Sequence, residues 1–370
     1  MIRIEQVMRD ERNFIAISRE SPFYPDGKGG QLGDRGRIGG LRVLKVEERQ
    51  GLYLHYLDGE LEPGEYEYEI DLERRKDIAC QHTAQHILSA SFLKVADLET
   101  MSFHMGEEYS TIDLNAPFVI NEVIEEAEDL ANEVVRKCLK VEILTLGREG
   151  SERLNLRKPV SEKAEGEVRI VKIGDFDVTP CGGFHVENTG NIGLIKILDR
   201  EKVKGSLTRV YFVAGKRALR DYRRKNQILR SISSILTTSV EETEKRVTNL
   251  LEDVKKAHSK LEKIAEDFAE FLSKHLPREQ ICDFSVISFK GYEEVGRFLP
   301  KFLGDDEKVI LVLSLEGKVE VISKGLDCPG FFEYVKRRHN TIKGGGSRDR
   351  IVLVGIDPKE LMEDLRDFLS

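Results

Sequence analysis

Two short stretches carry the residue types that bind metal ions. PCGGFHV, residues 180 to 186, sets Cys181 and His185 four positions apart across two glycines, and CQHTAQHILSA, residues 80 to 90, sets His82 and His86 four apart. Zn²⁺ takes thiolate and imidazole ligands, usually four in a tetrahedron, so each stretch supplies half of a site. On a helix, residues i and i+4 share a face, so both imidazoles of the second stretch point the same way. Spacing alone leaves a plainer reading equally open. A histidine on an apolar helix stripe is ordinarily a core residue with its hydrogen bonds satisfied, and CGG serves as a tight turn.

The elements that must position these residues follow from hydrophobic periodicity. FIAIS, LRVLKVEE, GLYLHYL and YEYEI alternate between glycine-rich turns and read as strands of a small twisted sheet or barrel. From Arg74 the pattern turns helical, with Ile78, His82, His86, Ser89 and Leu93 on one face. A second helix is expected from Asn121 to Lys140, and EVRIVKIGDFDV, NIGLIKIL and TRVYFVAG return to strand character. Residues 1 to 214 thus read as an α+β unit, a β-rich glycine-loop subdomain over 1–75 followed by 76–214, which carries both ligand pairs.

Between Gly215 and His275 glycine and proline nearly vanish. Ser239 with Glu242 is a capping-box signature for a new helix. Beyond it Val247, Leu250, Val254, Ala257, Leu261, Ile264, Phe268 and Phe271 step by threes and fours, the seam of a coiled coil. Residues 215–277 therefore read as a helical hairpin, ended by Pro277. From there, 278–370 alternates strand and helix as a small α/β domain.

Composition narrows the function classes. The 370 residues suffice for two domains with cores of their own. No apolar run approaches the roughly 20 residues that cross a bilayer, so no membrane partner is expected. The N-terminus lacks the apolar core of a secretion signal. Five widely spaced cysteines form no disulfide framework, which points to a reducing cytoplasm where thiols stay free for metal. A formal charge of −8 excludes a protein that coats nucleic acid with its whole surface, while leaving room for a local basic stripe.

HTAQH with CGGFHVENTG, preceded by SPFYPDGKGGQLGDRG, resembles the editing domain of alanyl-tRNA synthetases and its free-standing relatives, the long form of the AlaX proteins. The resemblance continues through SFHMG, GNIGLIKIL and RVYFVAG, and the terminal α/β unit is similar to the DHHA1 domain that accompanies editing domains. It implies a zinc-dependent deacylase that acts in trans on tRNA(Ala) mischarged with serine, and second with glycine. It implies Zn²⁺ on His82, His86, Cys181 and His185, and a glycine loop (Gly29, Gly30, Gln31 and Asp34) that judges the amino-acid side chain. Nothing in the chain is a candidate for an ATP-using aminoacylation domain. Phe184 stands where the family usually has threonine, and GKGGQL, with Lys28 and Leu32, where it usually has GGGQP. These departures bear on amino-acid preference; none removes a ligand.

Zn²⁺ would polarise the ester carbonyl or bring a bound water toward neutral pKa. Four protein ligands close a tetrahedron, so one ligand is displaced, or the coordination expands, or the metal holds substrate while another group activates water. Thr83 and Gln81 flank the first ligand and are candidates to orient water or ester, with capping or solvent-facing roles as the alternative; His104 in SFHMG is a third candidate. Asp175 and Asp177 stand close enough to Cys181 to accept a histidine N–H, or to be surface acids. The glycine loop lacks the GKS or GKT ending of a phosphate-binding P-loop.

Two basic clusters suit a tRNA backbone, with ordinary solvated charged faces as the alternative. Arg220, Arg223 and Arg224 lie at the root of the hairpin, and Arg337, Arg338 and Lys343 surround Gly344, Gly345 and Gly346, whose backbone N–H groups suit a phosphate or sugar. In the resemblance the terminal domain grips tRNA while the coiled coil pairs two copies into a homodimer. A rival class is a non-catalytic tRNA-binding protein with a structural zinc. The terminal segment alone also resembles the accessory half of DHH phosphoesterases, against which the lack of a DHH triplet counts.

Overall fold

In a computed structural model the protein is described over residues 1–10, 13–160, 166–303 and 306–370. It is a mixed α+β chain that divides into two compact units, Met1–Leu229 and Arg230–Ser370. The segments read as 1–75 and 76–214 both fall in the first.

Alternation in the first 75 residues produces a six-stranded sheet in the order Gln6–Asp10, Asn13–Ser18, Leu52–Leu57, Leu41–Arg49, Gly36–Ile38, Tyr68–Ile70. Ile2–Ile4 pairs separately with Gly64–Tyr66. Among the described residues the two end strands of the larger sheet do not pair with each other, so in its hydrogen bonding the sheet is open. Its inward positions, among them Ala16, Ile38, Val43, Val46 and Leu57, enclose Phe23.

His55, in this sheet, is a satisfied core histidine. It is fully buried, with Nδ1 3.1 Å from Ala16 O and Nε2 2.8 Å from Ser21 Oγ. Burial pulls it from 6.5 down to about 4, against the opposing bond to Ala16. The unfolded chain therefore takes up the proton first as pH falls. The stability held by neutral His55 is complete above pH 6.5 and is lost progressively toward pH 4, by up to about 3 kcal/mol. Urea midpoints between those pH values are expected to fall more steeply for the parent than for His55→Gln; equal slopes would remove the assignment.

The central helix is Leu72–Ala96, capped by the Asp71 carboxylate, which accepts Arg74 N–H at 3.0 Å. The sequence reads as one apolar face, yet every residue from Ile78 to Phe92 is buried. Ala84, Ile87, Leu88 and Phe92 join the main core with Ile112, Val171, Val210 and Phe212. The polar residues of the same stretch lie inside the protein too, so each needs an internal partner. Around the helix stand a four-stranded sheet, in the order Ile195–Val203, Leu207–Ala214, Ser110–Leu114, Thr100–Met105, and a three-stranded sheet of Val141–Gly147, Glu167–Ile173 and Asp177–Pro180. Helix Asn121–Arg136 packs against the central helix.

In the second unit, helix Thr243–His275 starts four residues after Ser239, whose Oγ accepts Glu242 N–H at 3.3 Å. Its buried positions are Thr243, Ala265, Ala269 and Ser273, and the alanines pack on Ile287, Leu299 and Leu311. The expected seam faces outward: Val254 and Ile264 are each 64% exposed, and Leu261, Phe268 and Phe271 are exposed as well. A six-stranded sheet follows, in the order Arg278–Ile281, Phe284–Lys290, Val309–Leu315, Lys318–Ile322, Arg350–Val354, Lys343–Ser347. The triple glycine is thus an edge strand, not a free loop. A Cβ at Gly344 or Gly346 would run into the backbone of the neighbouring strand.

Among the described residues no helix is long and apolar enough to cross a membrane.

Candidate metal centre

The two ligand pairs meet. One ligand atom each from His82, His86, Cys181 and His185 lies within 4.8 Å of all the others. Cys181 Sγ is 3.4 Å from His82 Nε2 and 3.3 Å from His185 Nε2. With Zn–N near 2.0–2.1 Å and Zn–S near 2.3 Å, a tetrahedron has N···S edges of about 3.5 Å, so the spacing suits such an ion. The central helix presents His82 and His86 one turn apart. The strand pair Glu167–Ile173 and Asp177–Pro180 delivers Cys181, with Cys181 N–H donating to Arg169 O at 3.0 Å.

Each imidazole has a partner on its far nitrogen. His82 Nδ1 is 2.8 Å from Gln31 Oε1, His86 Nδ1 is 3.1 Å from Asp177 Oδ2, and His185 Nδ1 is 3.1 Å from Thr83 Oγ1. Thr83 Oγ1 donates its only proton to Ala79 O at 2.8 Å and accepts Val186 N–H at 3.1 Å, which leaves it an acceptor for His185. Acceptors on Nδ1 fix the protons there and free Nε2 as a ligand.

Electrostatics agree with this donor set. Burial would raise the Cys181 thiol, but the surrounding ring nitrogens of His185, His82 and His86, which donate to the sulfur whenever they carry a proton there, outweigh it and bring it down to about 2. Burial lowers His185 to about 3 and also lowers His82. For His86 burial is outweighed by Asp177, which raises it. Asp177 is in turn disfavoured by burial, yet His86 and Arg157 hold it down to about 2. Arg157 reaches Asp177 with Nε at 2.6 Å and Nη2 at 3.3 Å, and Thr179 Oγ1 adds a bond at 3.1 Å. A thiolate with imidazoles held on the right tautomer fits a divalent, borderline-soft cation.

The other residues singled out from sequence fall as follows. Gln81 turns its buried amide to the backbone of Ala214, donating to its carbonyl at 2.9 Å and accepting its N–H at 2.8 Å, and so ties the sheet to the helix. His104 is exposed opposite Thr111 in the strand pairing. Strand alternation instead turns Phe103 inward, stacked on His82 with ring centroids 5.4 Å apart. Asp177 is the histidine acceptor, whereas Asp175 is fully exposed near Lys172.

The glycine loop closes over the cluster through Gln31, whose Oε1 also accepts Phe184 N–H at 3.0 Å. Asp34, wholly buried, pairs with Arg75 of the central helix at 2.5 Å. The Phe184 ring is held between Tyr24, with centroids 4.9 Å apart, and the Arg75 guanidinium at 4.7 Å. Gly29 is exposed, and the Cα of Gly30 faces Phe103. Arg157, Phe103 and Arg75 were not found from sequence. For Phe103 the signal was present in strand alternation; for Arg157, in an irregular segment, there was none.

Gly183 admits no side chain. A Cβ there would sit under 3 Å from His82 Nδ1 and Cε1 and from Gln31 Oε1. Gly183→Ala is expected to displace the His82 ring, weaken metal binding at least about tenfold and destabilise the chain by about 1–3 kcal/mol. Competition with a chromophoric chelator reads the first effect and urea unfolding the second.

Of the basic residues, Arg220, Arg223 and Arg224 are exposed with no ion pair among the described residues, while the neighbouring Arg217 is buried against Asp77 at 2.7 Å. Arg337 and Lys343 are exposed; Arg338 is exposed but engaged with Asp364 at 3.2 Å and Asp367 at 2.6 Å.

Comparison with known proteins bears on the whole chain. Residues 168–211 match the family described as threonyl and alanyl tRNA synthetase second additional domain. The chain is 29% identical to the alanine–tRNA ligase of Methanopyrus kandleri, over 92% of this chain and 40% of the ligase. It is 28% identical to the alanyl-tRNA editing protein Aarsd1-A of Xenopus laevis, over 84% of this chain and 73% of that protein. It is 31% identical to the alanyl-tRNA editing protein AlaX-L of Pyrococcus horikoshii, over all of this chain and 96% of the relative. The chain belongs to the AlaX family of alanyl-tRNA editing proteins.

Proposed function

We propose that the protein hydrolyses, in trans, the ester joining serine to tRNA(Ala), with glycine as a second substrate, and that the cluster of His82, His86, Cys181 and His185 holds the Zn²⁺ on which this depends. The observation that carries the reading is the convergence of three imidazoles and a cysteine sulfur, in a chain that belongs to an editing family. When bound, Zn²⁺ there would supply Lewis acidity at the ester carbonyl. The chain's own residues hold the ligands: Gln31, Asp177 and Thr83 keep the three rings in register, and Phe103 covers His82.

The need for such an activity is physical. A site built for the methyl of alanine cannot exclude glycine by size and rejects an added hydroxyl only weakly, with about 1–3 kcal/mol available per group. A separate hydrolytic site recovers the accuracy. We assign tRNA contact to exposed Arg220, Arg223 and Arg224 in one unit, and to Arg337, Arg338, Lys343 and the edge strand with Gly344, Gly345 and Gly346 in the other. The exposed stripe of helix Thr243–His275 is assigned to pairing with a second copy, because an apolar stripe of that length is costly to leave in water.

One observation favours a second reading. Four protein ligands would complete a tetrahedron, the form of a structural site in a tRNA-binding protein without catalysis. The two are separated by measuring deacylation of Ser-tRNA(Ala) and Gly-tRNA(Ala), with Ala-tRNA(Ala) as control, by the metal-loaded protein and by His86→Ala. Loss of hydrolysis in the variant, with tRNA binding retained, supports the deacylase. Binding without hydrolysis in both supports the structural zinc.

A further inference from the structure

Gln31 does something that its place in the glycine loop does not announce. Its side-chain oxygen and nitrogen are told apart by Phe184. The backbone N–H of Phe184 can only donate, so the atom 3.0 Å from it is the amide oxygen. That same oxygen lies 2.8 Å from His82 Nδ1. An oxygen without a proton can only accept, so Nδ1 carries the proton and Nε2 turns its lone pair toward Cys181, 3.4 Å away. The tautomer of one ligand thus follows from a backbone N–H on the segment that carries two others.

A second observation is independent. Gln31 is 2% exposed, and its Nε2 is buried with no hydrogen-bond partner among the described residues. Leaving such a group unpaired costs about 1–3 kcal/mol. Methionine, of similar length, would escape that cost at this position but could not accept two N–H groups through an oxygen. Gly183, which leaves room for both the Gln31 oxygen and the His82 ring, belongs to the same arrangement.

We propose that Gln31 is a positioning residue for the metal centre: one amide oxygen fixes the His82 tautomer and fastens the glycine loop to the 181–185 turn, so the loop and the ligand geometry are set together. This reassigns Gln31 from substrate contact, and it rests on the metal reading of the four-residue cluster. The loop then acts on the metal through a single hydrogen bond as well as by lining the substrate site.

The test uses the full chain with Co²⁺ as a spectroscopic probe, Zn²⁺ affinity by chelator competition, and two variants. Gln31→Met removes the acceptor and is expected to weaken binding about 10–100-fold. Gln31→Glu keeps an acceptor for both N–H groups; it is expected to bind near the parent affinity while shifting the Co²⁺ absorption bands, because a carboxylate on Nδ1–H makes the ring a stronger donor. A Gln31→Met protein with parent affinity and parent bands overturns the proposal. Should that variant fail to fold, Gln31→Glu decides alone, and bands identical to the parent's overturn it. A parent that takes up no metal removes the metal reading and this role together. A parent that binds metal and is indifferent to both changes removes only the role of Gln31.

Discussion

Replacing Cys181 with alanine is expected to weaken metal binding by more than two orders of magnitude and reduce deacylation to background, while leaving the metal-free fold nearly as stable as the parent. Structural zinc in small domains is held by roughly 10–16 kcal/mol. One ligand of four, taken as a quarter of that, is about 3 kcal/mol, or more than two orders of magnitude in affinity. The fold depends far less on this side chain. Cys181 is only partly buried at the edge of the main core, and the change removes one atom. Urea unfolding of the two metal-free proteins is therefore expected to agree within about 1 kcal/mol. Parent-like metal affinity in Cys181→Ala, read by chelator competition, would contradict the assignment of Cys181 as a ligand.

Asp177 carries the second large effect, because its carboxylate is fully buried and serves two masters. It accepts from His86 on one side and from the largely buried Arg157 guanidinium on the other. Asp177→Ala strands the guanidinium without a partner, which costs about 3–5 kcal/mol of stability. It also frees His86 to take either tautomer, which lowers metal affinity about 10–100-fold. The double change Asp177→Leu with Arg157→Met separates these consequences. Replacing a buried pair with apolar groups of similar size is often neutral or stabilising, so the double variant is expected to recover most of the stability. Metal affinity should stay low, since His86 still lacks its acceptor. Recovery of both would mean that the carboxylate acts only on the fold.

How much of this was legible in the residues depends on whether their partners are local. The i, i+4 spacing of His82 and His86 fixes their shared face through helix geometry alone, and Cys181 with His185 announces itself by residue type. Meeting across the fold is not a local property. The resemblance to editing domains supplied it, and the distances between the four ligand atoms are consistent with it. The choice between Asp175 and Asp177 was open in sequence; the strand Asp177–Pro180 turns residue 177 inward, toward the helix. SFHMG as a motif points to His104, whereas strand alternation governs which side chain faces His82 and selects Phe103.

The central helix shows the limit of periodicity. A 3.6-residue pattern identifies one apolar face, but polar side chains are buried as readily when partners await them. Gln81 with Ala214, Thr83 with His185 and Val186, and Gln85 with Ser89 meet that condition. Lys343–Ser347 fails in the opposite sense. Three glycines carry no side-chain signal for a strand, and pairing with Arg350–Val354 overrides their weak propensity. In helix Thr243–His275 the stripe was legible, but a stripe does not name what covers it.

X-ray absorption at the metal edge of the purified full-length chain measures the centre directly. One zinc per chain, with one sulfur at about 2.3 Å and nitrogen neighbours at about 2.0–2.1 Å, is the expected result. A first shell of oxygen alone, or a chain that purifies and reconstitutes without metal while still hydrolysing Ser-tRNA(Ala), would contradict it.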